Sequence, residues 1–580
     1  MKSLRADAGV LRVGQESMLM QVSKEQVMPL AGMRAIVRGD SETARTCARQ
    51  LRFLGAETSG ESQAPSQLAA EIVVSDPLDS NPLRCQVSWA AHPDDHRIVD
   101  EFTAQAVCGV MHVNGRKTGR PTPLGVEYCG IVAGIAATQA ILAGLFARRR
   151  GIPIHEASTS VAHATLMTLS QYLGAATADD AKVMDIQPGG PPFRSADGVL
   201  FHPEFTSGGA WADFWLSLGA SGRAASAGWR AWSLLPVTAT AALPDELVAC
   251  MARHTLSELR QVATSVGASI CPVRTLADRA ADIGLASGKP IPAPWMITAV
   301  GALPRPAPPR NAVGDSLPLA GLQVVDITRR IQGPLSGRQL SLLGAAVCHV
   351  EPVGGDPFRD VPPAVGDCGV IVHSFVDGKE VVEFDLRDPA HRPGLRELTD
   401  AADVFLHNWA PGKAEGLQLT AADLRSTNPD LLYAVASGWG GQLGARPPAG
   451  IEWVVQAHTG VGQALLPPDS PPGYSLMTPV DAIGAMINAQ AILAALLVRQ
   501  ADGRICDVES SLLTASTVLT TTELERAAAG LPQLPGPCVD IEDLPVTTDL
   551  ATLGDDPYLA GCTSWNGCLT VSAPWSFSTG

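Results

Sequence analysis

Between residues 317 and 440, short apolar runs alternate with amphipathic ones. LQVVDI (322–327), AVCHVE (346–351), EVVEFDL (380–386), DVFLH (403–407) and LLYAVAS (431–437) are apolar and rich in β-branched residues, as buried strands are. Residues 335–343, 389–400 and 420–427 carry apolar positions at helical spacing. This alternation predicts an α/β fold with a doubly wound parallel, Rossmann-like sheet, whose ligands sit at the carboxyl ends of the strands. Residues 197–203 and 209–218 read as a strand leading into a helix. An amphipathic helix follows over 255–267 with Thr255 as N-cap, then a strand in SICPVRTL (269–276), which together suggest a small α+β domain over 181–300. One apolar run, 131–147, precedes three arginines. It is short for a bilayer and rich in Ala and Gly, so it reads as a buried helix.

The pattern occurs twice. MPLAGMRAIVRG (28–39) matches LPLAGLQVVDIT (317–328), and RQLRFLGAE (49–57) matches RQLSLLGAA (338–346), both at an offset of 289. Further on, EFTAQAVCGV (101–110) matches EWVVQAHTGV (452–461), and QAILAGLFAR (139–148) matches QAILAALLVR (490–499), now at 351. The first copy therefore lacks 62 residues in between. A last match, APW at 293–295 and 573–575, has an offset of 280, so the second copy lacks 71 residues corresponding roughly to 180–290. Complementary losses predict a fused pseudo-dimer: a degenerate α/β domain (28–180), the small domain (181–300), a Pro-rich linker (301–316) and a second α/β domain (317–580). Such a chain is self-contained as a monomer or pairs again as a homodimer.

Composition narrows the function. The 580 residues allow about three or four domains, and 46% apolar against 17% charged residues favours large cores. A net charge of −16 argues against a nucleic-acid-binding face. The basic run Arg148–Arg150 reads as a helix end. Twelve cysteines include no CxxC pair. Cys562 and Cys568, the closest two, have no histidine at zinc spacing, so no metal is expected. The thiols read as buried residues of a cytoplasmic protein, and residues 1–17 lack the apolar core of a signal peptide. The turn RRIQGPLSG after the first strand of the second copy is not GxGxxG, so a dinucleotide is unsupported.

The ordered series PLAGLQVVDITRRIQGPLSG, LGA, EPVGGDP (351–357), Lys379 with Asp385–Leu386, Asn408 with Pro411–Gly412, Asn428–Pro429 with Tyr433, Ser437–Gly438 with Gly440, and VVQA (454–457) resembles the family III CoA-transferases, the group of formyl-CoA transferase and carnitine CoA-transferase. The resemblance covers 317–515 well and 28–300 more weakly. It implies that coenzyme A is moved from an acyl-CoA to a small carboxylic acid, with no membrane or nucleic acid involved. It assigns the nucleophilic carboxylate to Asp481, at the opening of the helix that ends in ILAALL, and an aspartyl-CoA thioester as intermediate. From the residues alone, Asp481 reads as an ordinary helix cap. At offset 351 its counterpart is Gly130; Glu127 lies three residues out of register, so one active site per chain is expected.

By the same resemblance, Gly189 and Gly190 in QPGGPPFRSADG form a mobile lid donating N–H groups to oxyanions; read alone, PGG is a plain turn. Gln332 lies near the thioester, although Ile331 stands where the family often has Gln. Asn408 and Trp409 line the CoA site, and Lys379 and Arg359 meet its phosphates, unless both are simply surface charges. Residues 458–478 form the acceptor pocket. Two other functions fit the fold. An α-methylacyl-CoA racemase pairs the same Asp with a His just before the VVQA segment, where this chain has Gly450-Ile451-Glu452; His458 is out of place. A non-catalytic CoA-binding or scaffold protein would explain the decay of the first copy.

Overall fold

The structure, a computed structural model, describes residues 25–61, 64–65, 67–302, 317–444, 447–468, 470–533 and 540–579. Most of the Pro-rich linker read over 301–316 lies outside them. Strands of the second half form one sheet in the order Glu25–Gln26, Trp295–Ala302, Arg504–Ser511, Leu432–Ser437, Val404–His407, Gln323–Ile327, Ala346–Glu351, Glu380–Glu383. The last six are parallel, and the first two join antiparallel. The chain starts inside the sheet at Gln323–Ile327 and moves outward through two strands. It then returns to lay Val404–His407 on the other side of its starting strand. Successive residues of a strand point to opposite faces: Val324, Leu406 and Ala434 enter one core, while Val325, Phe405 and Tyr433 enter another with Leu395 and Leu424.

The first copy departs from the parallel sheet expected of it. Its six strands run Ser576–Ser578, Glu156–Ser160, Leu83–Ser88, Leu68–Ser75, Arg34–Arg38, Glu57–Glu61, with only two parallel pairings against three antiparallel. The cause is the missing segment. A parallel crossover needs about a dozen residues, usually a helix, and only six separate Glu61 from Leu68.

Element boundaries recur at the offsets of the repeat. Strand Arg34–Arg38 shifted by 289 is Gln323–Ile327, and the partners Arg34–Glu57 and Gln323–Ala346 keep one register. Helix Tyr128–Arg149 shifted by 351 starts at Pro479, where helix Pro479–Asp502 begins. The third offset, resting on three residues, acquires structural company: Met296 pairs with Glu509 as Ser576 pairs with Ser158. Each copy's last strand thus closes the other copy's sheet. Trp295–Ala302, read with the small domain, belongs to the second sheet for this reason.

The two long helices are apolar enough to cross a membrane by length and composition, but both are buried. They pack together with crosswise amide bonds. Gln139 donates to Gln339 at 2.8 Å, and its counterpart Gln490 donates to Gln50, the counterpart of Gln339, at 3.3 Å. The two bonds are related by the same offsets as the repeat. The small domain has a three-stranded antiparallel sheet, Phe193–Arg194, Leu200–Glu204 and Ser269–Pro272. Its helix Leu256–Ser265 is capped by Thr255 and Glu258.

Helix Glu42–Phe53 crosses the first long helix at Gly134, where a Cβ would come within 2.8 Å of Thr43 O and Thr46 Cβ. Gly134→Val should therefore cost about 1–3 kcal/mol through overpacking, read as a lower urea midpoint with unchanged slope.

Candidate active site

The first-turn N–H groups of a helix need partners from outside it. In helix Pro479–Asp502 they are supplied from another helix. The buried Glu452 carboxylate accepts from Val480 N–H at 3.1 Å and Asp481 N–H at 2.6 Å, and is itself held by Gln456 at 2.7 Å. The cap position is Thr478, and Asp481 is the third helical residue. Its carboxylate makes no hydrogen bond among the described residues. This removes the reading of Asp481 as an ordinary cap. Burial pushes the Asp481 carboxyl up to about 7, with Arg330 pulling against it. Burial and the neighbouring Asp481 also raise Glu452 well above the usual carboxylate range.

The first copy repeats the clamp without a carboxylate at the third helical position. Glu101 accepts from Cys129 N–H at 2.9 Å, Gly130 N–H at 2.8 Å and Gln105 at 2.8 Å. Gly130 thus occupies the place of Asp481, and a Cβ there would meet the Glu42 Cβ at 3.1 Å. Glu127 pairs with Arg45 at 2.7 Å on the surface.

Asp481 lines a cavity of about 50 Å³ with Gln332, Asn408, Arg329 and Arg330. It lies beside the carboxyl ends of Gln323–Ile327 and Val404–His407, where the strand order reverses and such sheets bind ligands. Gln332 is 5% exposed and its amide nitrogen has no partner among the described residues. Gly484, one turn beyond Asp481, makes room for it: a Cβ there would lie 2.9 Å from that nitrogen. An unpaired buried donor costs about 1–3 kcal/mol and gains it back when an acceptor arrives. Asn408 spans the crevice, accepting from Arg329 N–H at 3.1 Å and donating to Arg329 O at 2.7 Å. Arg330 has φ +72°, a left-handed conformation that is strained for a side chain of this size.

Trp409 stacks on His407 at 4.7 Å and lines a second cavity of about 390 Å³. Phe384 and Leu386 form apolar wall there, while Arg329, Arg387 and Lys413 bring three cations together beside Glu351 and Asp385; Arg329 is also paired with Asp356 at 3.0 Å. Lys413 lies 5.6 Å above the Trp409 ring, and burial with the Arg329 and Arg387 charges lowers its pKa. Arg329 lines both cavities.

The cations expected to meet phosphates lie elsewhere. Lys379 is fully buried, 2.9 Å from Asp326 and donating to Pro334 O at 2.7 Å. It holds Asp326 well below the carboxylate range and pins the turn over which Gln332 sits. Arg359 is bidentate on Glu351, at 2.7 and 2.8 Å. Charge type alone did not separate these from Arg387 and Lys413. The usable signal was position, since Asp385-Leu386-Arg387 follows the third strand at its carboxyl end. Gly189 and Gly190 do not line the Asp481 cavity. Gly189 bonds Lys117 O and Ala241 N–H, at 3.0 and 3.3 Å, and Gly190 packs against Leu476. The small domain reaches the cavity through Pro236 instead.

The model of CoA-transferase family III matches residues 90–288 and again 319–538, between them most of the chain. This chain belongs to CoA-transferase family III. It is 35% identical over 225 residues to a probable fatty acyl-CoA transferase of Mycobacterium tuberculosis, covering 37% of this chain and 57% of that one. It is 36% identical over 203 residues to the acetyl-CoA:oxalate CoA-transferase of Acetobacter aceti (34% and 51%). With the succinyl-CoA:glutarate CoA-transferase of Mus musculus it shares 29% over 217 residues (37% and 49%). The chain spans about half the length of the curated relatives it matches.

In this family member, Lys379→Met should destabilise the fold by about 3 kcal/mol, because it removes the ammonium from a fully buried carboxylate and leaves Asp326 only Thr328 and His349 as partners. Urea unfolding checks this. A variant with wild-type stability and weakened anion binding would return Lys379 to the phosphates.

Proposed function

We propose that this chain is a cytoplasmic CoA-transferase, moving CoA from an acyl-CoA to a carboxylic acid through an aspartyl-CoA thioester on Asp481. The observation that carries this is an uncapped, buried carboxyl facing the unpartnered amide of Gln332 across one small cavity. The Asp481 carboxylate attacks the thioester carbonyl and CoA leaves as thiolate, giving a mixed anhydride. The thiolate attacks the Asp481 carbonyl, releasing the donor acid and forming the aspartyl-CoA thioester. The acceptor carboxylate attacks that thioester and again expels the thiolate, which takes the new acyl group and restores Asp481. Each step is a covalent exchange at a carboxylate. Gln332 donates to the oxyanion, and the buried cavity keeps water from the anhydride. The 390 Å³ cavity takes the nucleotide end of CoA, with its phosphates on Arg329, Arg387 and Lys413 and its base against Trp409.

The doubly wound sheet and the pseudo-dimer belong to this reading. One clamp keeps the nucleophile and the other keeps Gly130, and the single small domain lies over the lobe that keeps it. A racemase is not favoured: among the described residues no histidine lines the Asp481 cavity, and His458 packs against Trp439.

Incubation with a panel of acyl-CoAs, trapping with hydroxylamine or borohydride and peptide mapping tests the mechanism. A modified peptide spanning Asp481, lost in Asp481→Ala, is expected; solvent deuterium exchange at the α-carbon without an adduct would replace this reading with the racemase. Because burial raises the Asp481 pKa to about 7 and only the carboxylate attacks, the labelling rate should fall about tenfold per pH unit below 7 and level off above it.

A further inference from the structure

The reacting end of the site is much smaller than its charged end. On the same measure of volume a water needs about 10–15 Å³, so the roughly 50 Å³ beside Asp481 holds about four water-sized groups. The neighbouring cavity, which shares Arg329 with it, is nearly eight times larger. Apart from the polar groups already placed, the small cavity is walled by Gly450 and by apolar side chains that include Ile331, Ile451, Phe358, Leu512 and Trp453.

Trp453 is the largest of these and the most firmly held. It is 6% exposed and follows Glu452 on the helix that clamps Asp481. Its indole N–H donates to Leu476 O at 3.2 Å. Behind it stands His202 of the small domain, ring centre 6.2 Å away. His202 is in turn fixed on three sides: by the Tyr474 hydroxyl at 2.5 Å, by Glu204 at 3.2 Å and by Trp232 stacked at 5.6 Å. Lys117 from the first copy donates to Tyr474 O at 3.1 Å. His202 and Tyr474 have no exposed surface. For the indole to swing aside, the Leu476 bond must break and a buried polar network must open, leaving unpaired groups behind.

We propose that Trp453, locked by the His202–Tyr474–Glu204 network, is the end wall of the acyl site and restricts this chain to short acyl groups of about two to four carbons. The proposal rests on the transferase reading above. A closed apolar wall resists each added methylene by roughly 10-fold or more in specificity, whereas a wall that yields does not discriminate. The transferase reaction itself has no preference for chain length, so selectivity comes from this wall.

The test is the second-order rate of Asp481 labelling by acetyl-, butyryl- and octanoyl-CoA, using the full chain. The wild type should label with acetyl and butyryl groups and lose at least 100-fold at octanoyl. Trp453→Ala should raise the octanoyl-to-acetyl ratio at least 10-fold. Trp453→Leu, which keeps an apolar core side chain, should raise it in the same direction and guards against a folding defect. Tyr474→Phe removes one hydroxyl without changing the packing. It should also raise the ratio, by several-fold, while the dissociation constant for free CoA stays unchanged. Equal labelling by octanoyl and acetyl groups in the wild type would overturn the proposal, as would an unchanged ratio in the folded Trp453 variants. Either result leaves the transferase reading standing. Absence of label with every donor removes both.

Discussion

A helix with apolar residues all round is stable in water only if it is surrounded. This chain has two, Tyr128–Arg149 and Pro479–Asp502, and they bury each other between the two sheets. The amides inside that contact cannot be left unpaired, and the crosswise bonds of Gln139 and Gln490 answer the need symmetrically. The packing fixes where each helix begins. It therefore fixes where Glu101 and Glu452 must stand to satisfy the first-turn N–H groups. The second clamp sets Asp481 at the mouth of the crevice, and the first sets nothing.

The clamp is a structural device that does not depend on the residue at the third helical position. Glu101 keeps its three hydrogen bonds although Gly130 has no side chain to present. Glu42 and Arg45 fill the space at the old mouth. The small domain meets the Asp481 cavity at Pro236. The exchanged last strands tie the halves together, so neither sheet is complete alone.

Much of this was legible in the residues. Apolar runs of β-branched residues mark strands wherever both faces are buried, so all five strands read in the second copy are found within a few residues of their expected bounds. The repeat offsets were visible because the long helices tolerate little change at full burial. The first copy's antiparallel pairings were not visible, since pairing direction depends on connection length rather than on the strands themselves. Asp481, Gln332, Asn408 and Trp409 were picked out by the ordered motif series; the fold brings the first three to one cavity and Trp409 to its neighbour. Lys379 and Arg359 were read as phosphate contacts because a paired and an unpaired cation look alike in a sequence until their acidic partners, Asp326 and Glu351, are seen beside them. The Gly189–Gly190 turn was misplaced because positive φ marks a tight turn as readily as a mobile one. Trp453 carried no signal at all, since its role depends on His202 and Tyr474, which come from distant segments.

The central claim is that two lobes build one working centre. Intact mass spectrometry under denaturing conditions, after exposure to saturating acyl-CoA, counts the covalently bound CoA directly. The account predicts one covalently bound CoA per chain and no second. Two bound per chain, or one that persists in Asp481→Ala, would contradict it.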